Sequence, residues 1–158
     1  MSLDVAIAVA KRLRDALADE VERARHEREL LKHLNHAGLF DRAAKRALFN
    51  TNAKNLQLEL GSVLAEFATA NALAEVTLAS LRQIQPKLTA QLSQAFDEIR
   101  ALAAALSELD ELNLMLANRT LRCVRGYLGA LRPKPTAYDR LGREPARDRE
   151  QGSFSRRV

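Results

Sequence analysis

Several residue types that stabilise other folds are scarce in this sequence. It has one cysteine, Cys123, no tryptophan, and only five phenylalanines and two tyrosines in 158 residues. A single cysteine cannot form a disulfide within the chain, which favours a reducing compartment. Glycine and proline number six and four. Alternating β-branched and polar residues are absent, so the sequence predicts no strand.

Long apolar runs are missing as well. The sequence has no stretch of about 18 consecutive apolar residues, the length that a membrane span requires. The amino-terminal region has an acid, Asp4, and its basic residues follow the short apolar run, unlike those of a secretory signal peptide. We therefore expect a soluble, cytoplasmic protein without membrane insertion.

The abundant residues are those that favour helix. Apolar residues make up 47% of the chain, and most are leucine, alanine, valine and isoleucine. Together with glutamate, arginine, lysine and glutamine, these lose little side-chain freedom in a helix. The net charge is +5, but residues 133–158 hold seven basic and four acidic side chains and so carry most of the excess. A nucleic-acid-binding domain more often has a basic face within its body, so we expect an all-α protein that does not bind nucleic acid.

Apolar spacing predicts a first helix at about 3–36, because apolar residues return every three or four positions. Gly38 is predicted to end it, and Asp41 is a plausible N-cap for the next helix. The second helix is predicted at about 42–84. Its heptad positions are Leu56, Val63, Ala70 and Thr77, with Leu60, Phe67, Ala74 and Leu81.

Pro86 separates the second helix from a third, predicted at about 87–131. Proline restricts the residue before it and suits the first turn of a new helix. We expect a tight reversal near 83–87; a kinked continuous helix is the alternative. The third helix has Leu92, Ile99, Leu106 and Asn113 at one heptad position, and Ala95, Leu102, Leu109 and Leu116 at the other.

Helices of this length predict an elongated antiparallel three-helix bundle over residues 1–132, whose second and third helices form a long hairpin. The remaining residues, 133–158, are too polar to build a core and are predicted to be an extended, mostly disordered basic tail.

No nucleotide-binding, zinc-binding or nucleophile motif occurs, so we expect no enzyme activity, catalytic residue, metal or cofactor. His33 and His36 are predicted one turn apart on the first helix, near His26, where a metal would need ligands from another helix. The run from His33 to Gly38 also resembles the H-x-x-K-G motif of histidine phosphotransfer domains. His36 replaces its lysine, and the glycine is displaced by one.

The carboxy-terminal part of the third helix has two features with open interpretations. Asn113 lies on the apolar seam, where it either fixes the helix register or contacts the backbone of a client peptide. Arg119, Arg122 and Arg125 form a ridge that either is solvated or contacts acidic groups of a partner.

Gly126 and Gly129 then loosen the helix. A loose apolar helix end is a suitable place to receive an amphipathic helix, although a frayed bundle end would look the same. Cys123 is best interpreted as a small packed residue beside the seam.

The segment from Asn113 to Gly142, NLMLANRTLRCVRGYLGALRPKPTAYDRLG, resembles the carboxy-terminal signature of FlgN-type flagellar export chaperones. The resemblance rests on an asparagine, an arginine, a proline and a tyrosine spaced among leucines. It covers about 30 residues and singles out these positions: Asn113, Leu116, Arg119, Leu121, Val124, Leu128, Leu131 and Tyr138.

The resemblance implies a cytoplasmic chaperone of flagellar type III export. Such a protein binds the carboxy-terminal helices of hook-filament junction proteins, keeps them unassembled and brings them to the export gate. We expect a monomer or weak homo-oligomer. The main alternative is a basic helical protein that binds nucleic acid or a membrane surface through Arg119, Arg122, Arg125 and the tail; histidine phosphotransfer ranks third.

Overall fold

The computed structural model describes residues 3–131, and these are helical except at three short connections. Three long helices and one short helix are present: α1 (Leu3–Lys32), α2 (His36–Ala70), α3 (Leu78–Ile84) and α4 (Pro86–Leu131). The prediction of an all-α protein with long packed helices is confirmed. The chain divides into two compact units, residues 1–121 and 122–158; the predicted tail, 133–158, lies outside the described residues.

The turn between α1 and α2 is formed differently from the prediction. α1 ends at Lys32 because Leu34 adopts the left-handed conformation, with φ 51°, and the Asn35 N–H closes back on the Leu30 carbonyl at 3.0 Å. This bond is typical of a helix-ending Schellman motif. α2 then begins at His36, where the Asn35 side chain accepts a hydrogen bond from the Gly38 N–H at 2.9 Å.

Gly38 therefore lies inside the first turn of α2, and Asn35 caps that helix in place of Asp41. A Cβ atom at Gly38 would be 2.8 Å from Leu30 Cδ2, so the glycine permits close approach of the two helices. The predicted boundaries of 36 and 42 are wrong by a few residues because leucine took the left-handed position, which glycine occupies more often.

The predicted second helix, 42–84, is two helices in the structure. α2 ends at Ala70, because Ala72 adopts φ 53° and the Leu73 N–H bonds to the Ala68 carbonyl at 3.0 Å. After this break, Thr77 caps α3 by accepting from the Ser80 N–H at 3.1 Å. Pro86 opens α4 as expected, so the chain reverses over 71–85, with α3 inside the reversal.

Cross-helix contacts define the direction of the three long helices in the first unit. α1 and α2 are antiparallel, since Arg12 pairs with Glu59 at 3.2 Å, whereas Glu20 pairs with Arg42 at 2.6 Å. α1 and α4 are parallel, as the next two contacts show. Arg14 pairs with Glu98 at 3.1 Å. The Asn113 Nδ2 atom donates to the Ala24 carbonyl at 2.8 Å.

The end of this unit where α1 begins is packed with apolar side chains. α1, α2, α3 and α4 all contribute residues that are almost completely buried: Leu3, Ala6, Ala10, Phe67, Leu81 and Leu92. Burial of large apolar side chains contributes roughly 1.5 to 3 kcal/mol each. The α3 helix closes this end through Leu81.

The other end is organised around a buried carboxylate. Glu20 is 0% exposed and Arg42 is 6% exposed. Glu20 accepts hydrogen bonds from Arg42 at 2.6 Å and from Arg46 at 3.0 Å, and Arg46 also bonds to Asp110 of α4. Burial disfavours the charge of Arg46, but its hydrogen bonds to Asp110 and Glu20 outweigh this, so its pKa is raised. This cluster therefore links α1, α2 and α4 at the same level of the first unit.

Candidate partner-binding site

The described part of the second unit is the last turns of α4, residues 122–131, here called the terminal segment. Every residue in it is exposed. Val124, Tyr127, Leu128 and Leu131 are spaced three or four residues apart, which places them on one face of the helix. They are between 39% and 69% exposed. Four large apolar side chains in one exposed stripe form a surface suited to an apolar partner.

The charge of the terminal segment has one sign. Arg122 and Arg125 are exposed, and residues 112–131 contain no aspartate or glutamate. Gly126 and Gly129 face open space: apart from the backbone of α4 itself, nothing lies within 4 Å of the place that a Cβ atom would take. Packing therefore gives no reason for either glycine, and each weakens the helix by roughly 1 kcal/mol relative to alanine.

The other α4 residues that the resemblance singled out belong to the first unit, and they differ from one another in burial. Asn113 is buried, and its amide nitrogen is bonded to α1, while its Oδ1 atom has no hydrogen-bond partner within the described chain. Leu116 is half-buried, and Arg119 and Leu121 are exposed. Tyr138 lies outside the described residues.

Several exposed apolar residues were not singled out from the sequence, and three of them lie in the carboxy-terminal part of α4. Tyr127 is 69% exposed in the terminal segment, and Leu114 and Met115 are about 60% exposed in the first unit. Tyr127 could have been found from its spacing, since it lies three residues after Val124 and four before Leu131. Leu114 and Met115 lie between the heptad positions Asn113 and Leu116, and this placement outside the core positions could have predicted their exposure.

The histidines are not brought together as the sequence suggested. α1 ends at Lys32, so His33 lies in the turn, and His36 is the first residue of α2. The prediction that they lie one turn apart on the first helix is wrong. Within residues 3–131, no group of three or more His, Cys, Asp or Glu side chains is arranged to hold a metal ion. Cys123 is exposed rather than packed beside the seam.

An open groove of about 950 Å³ lies between α1 and α2 in the first unit. Its apolar lining includes Leu30, Leu48 and Phe49. The charged residues along it largely pair within the chain, for example Lys45 with Asp41 at 2.6 Å. The groove therefore offers apolar area but little uncompensated charge.

No helix among the described residues is both long enough and apolar enough to cross a membrane. Comparison with known proteins found no matching family model, no matching curated protein and no matching solved structure.

Proposed function

We propose that this protein is an export chaperone of the FlgN type, which binds amphipathic helices of hook-filament junction proteins through the terminal segment. The observation that carries the proposal is the stripe of Val124, Tyr127, Leu128 and Leu131, exposed on a helix that has no acidic residue nearby in sequence. The resemblance of residues 113–142 to the FlgN signature supplies the class of client.

The chemistry of the stripe suits this role. Proteins that polymerise through terminal helices expose apolar faces before assembly, and a matching apolar stripe can cover such a face without ATP, metal or catalysis. Burial of apolar area contributes roughly 25 cal/mol per Å². The two glycines leave the backbone free to adjust to a client helix. The client would then lay its apolar face against the stripe, as in the helix-in-groove mode of peptide recognition. Delivery to the export gate and a cytoplasmic location belong to the same proposal.

The arginines could add an electrostatic contribution to the affinity for a client. Arg122 and Arg125 can form ion pairs with acidic groups at the edge of a client helix, but exposed ion pairs contribute only about 0 to 1 kcal/mol each. Apolar contact should therefore dominate the affinity. If the protein instead binds nucleic acid or a membrane surface, the arginines should dominate and the affinity should fall steeply with salt.

The test is calorimetry of the full chain with a peptide from the carboxy-terminal helix of a junction protein from the same genome. We expect Leu128→Asp to weaken binding at least tenfold, because an unpaired carboxylate is costly to bury. Leu128 is 57% exposed, so the fold should be retained, as a melting curve would show. Ala130→Asp is the matched control, since it adds the same charge to another face of the same helix.

A variant in which Arg119, Arg122 and Arg125 are all glutamine should bind more weakly by a smaller factor. The proposal fails if this variant loses all binding while Leu128→Asp binds normally. It also fails if the peptide does not bind the wild-type chain in any salt concentration.

A further inference from the structure

The outer face of α2 is exposed and almost free of charge. α1 and α4 separate apolar from polar residues onto opposite faces, whereas α2 does not. Its inner face supplies Phe49, Leu56, Leu60, Val63 and Phe67 to the core. Its outer face carries eight exposed, uncharged residues, here called the outer seam: Ala44, Leu48, Thr51, Asn55, Leu58, Ser62, Ala65 and Thr69.

The outer seam has the spacing of a coiled coil. Its members alternate four and three residues apart from 44 to 69, which is the 3.5-residue period that keeps a stripe facing a partner helix. Leu48 and Leu58 are 72% and 65% exposed. A solvated helix face ordinarily carries charged side chains, as those of α1 and α4 do. This face therefore has the pattern of a helix that packs on both sides.

We propose that the outer seam is a homodimer interface, in which α2 pairs in parallel with α2 of a second copy. Charge complementarity supports this partner. Lys54 and Glu59 flank the seam on opposite sides, five residues apart. In a parallel coiled coil, these two positions face each other across the interface. Lys54 of each copy therefore lies opposite Glu59 of the other copy.

Asn55 distinguishes the parallel from the antiparallel arrangement. Parallel pairing in register places each Asn55 opposite its own copy, where the two amides can hydrogen-bond, and a single such asparagine is a known determinant of dimer register. Parallel pairing also places Leu48 opposite Leu48, and Leu58 opposite Leu58, of the second copy. Antiparallel pairing of the same seam would place the Asn55 amide against Leu58, where it would lack a partner and cost free energy.

The charged pair is available for this contact. Lys54 forms no salt bridge within residues 3–131, and the pair of Glu59 with Arg12 is at the surface, with side chains 45% and 61% exposed. An exposed pair of this kind contributes little, so Glu59 can change partner easily. The seam contains only two leucines, so we expect a weak dimer. The inference is independent of the client proposed above.

The first experiment is sedimentation velocity of the full chain at roughly 10 to 500 µM, a concentration range that spans the dissociation constants expected for a weak dimer. We expect concentration-dependent dimerisation. Lys54→Glu and Glu59→Lys alone should each weaken it by about tenfold, and the double variant should restore it. A chain that stays monomeric throughout overturns the proposal, and a double variant no better than the single ones overturns the parallel register.

Cysteine cross-linking in a Cys123→Ser background gives the second test. Ala44→Cys should cross-link to itself, because the parallel register places residue 44 opposite its own copy. Gln57→Cys is the matched control on an exposed, non-seam face of α2 and should not. If Ala44→Cys cross-links only when mixed with Thr69→Cys, the pairing is antiparallel and the proposed arrangement is wrong; equal cross-linking at 44 and 57 overturns the interface.

Discussion

The two ends of the first unit are held together by different interactions. Where α1 begins, side chains such as Leu3, Phe67 and Leu92 pack without polar partners. Where α1 ends, Glu20, Arg42 and Asn113 form directional bonds between helices. Apolar contact stabilises many neighbouring registers about equally, whereas a buried carboxylate tolerates only the register that gives it its donors. The apolar end should thus supply most of the stability and the polar end most of the alignment.

The largest effect should come from the apolar end. Phe67 is 2% exposed, so Phe67→Ala removes a buried ring and leaves a cavity, and we expect a loss of about 3 to 5 kcal/mol. Urea unfolding followed by circular dichroism measures it. Phe40→Ala, at an 80% exposed position of the same helix, is the matched control and should change stability by less than about 0.5 kcal/mol. Similar losses in both variants would show that the apolar end is not the main source of stability.

Glu20→Gln should have the next largest effect. The variant keeps the shape but removes the charge that Arg42 and Arg46 bind, which leaves Arg42 buried beside only one remaining carboxylate, Glu27, at 3.0 Å. We expect a loss of about 3 kcal/mol. Combining it with Arg42→Met should recover part of that loss, because the buried cation is then removed together with the carboxylate that it paired with. If the single variant is neutral by urea unfolding, the cluster does not stabilise this end.

Asn113→Ala should cost less, about 1 kcal/mol, since it removes one neutral hydrogen bond, the one to the Ala24 carbonyl. Its more specific effect should be on alignment. With the bond removed, hydrogen exchange should increase for amides of α4 near residue 113 and remain unchanged near Leu92. Uniform exchange along α4 would mean that Asn113 does not fix the register at this end.

The sequence predicted the parts of the fold that follow from period and composition. Helical content, the core faces of α2 and α4 and the start of α4 near Pro86 all rest on spacing or on proline geometry. The break at Ala72 was missed and the one at Leu34 was predicted a few residues late, because neither leucine nor alanine favours the left-handed conformation that ends each helix. The cluster around Glu20 was also missed, because its partners are distant in sequence.

For the candidate site, spacing identified Val124, Leu128 and Leu131 as one apolar stripe. It could not show that the stripe is exposed, because a buried seam has the same period. The outer seam of α2 was missed for a related reason. The inner seam already explained the periodicity of that helix, and only the observed exposure separates the two faces.

The smallest expected effect concerns pH and lies between the two ends, at Glu98. Its hydrogen bonds from Gln94 and Arg14 hold the pKa of its carboxyl below the ordinary value of 4.5. A carboxyl whose folded pKa is depressed stabilises the fold above its unfolded pKa and loses that contribution as the pH falls through the folded pKa. Stability measured by urea unfolding should therefore fall between about pH 5 and pH 3 slightly less steeply in Glu98→Gln than in the wild type. Because the Glu98 side chain is partly exposed and solvent screens the pair, the difference should be close to the precision of the method. A much larger change in slope would mean that this pair, and not the cluster around Glu20, is the main polar link between α1 and α4.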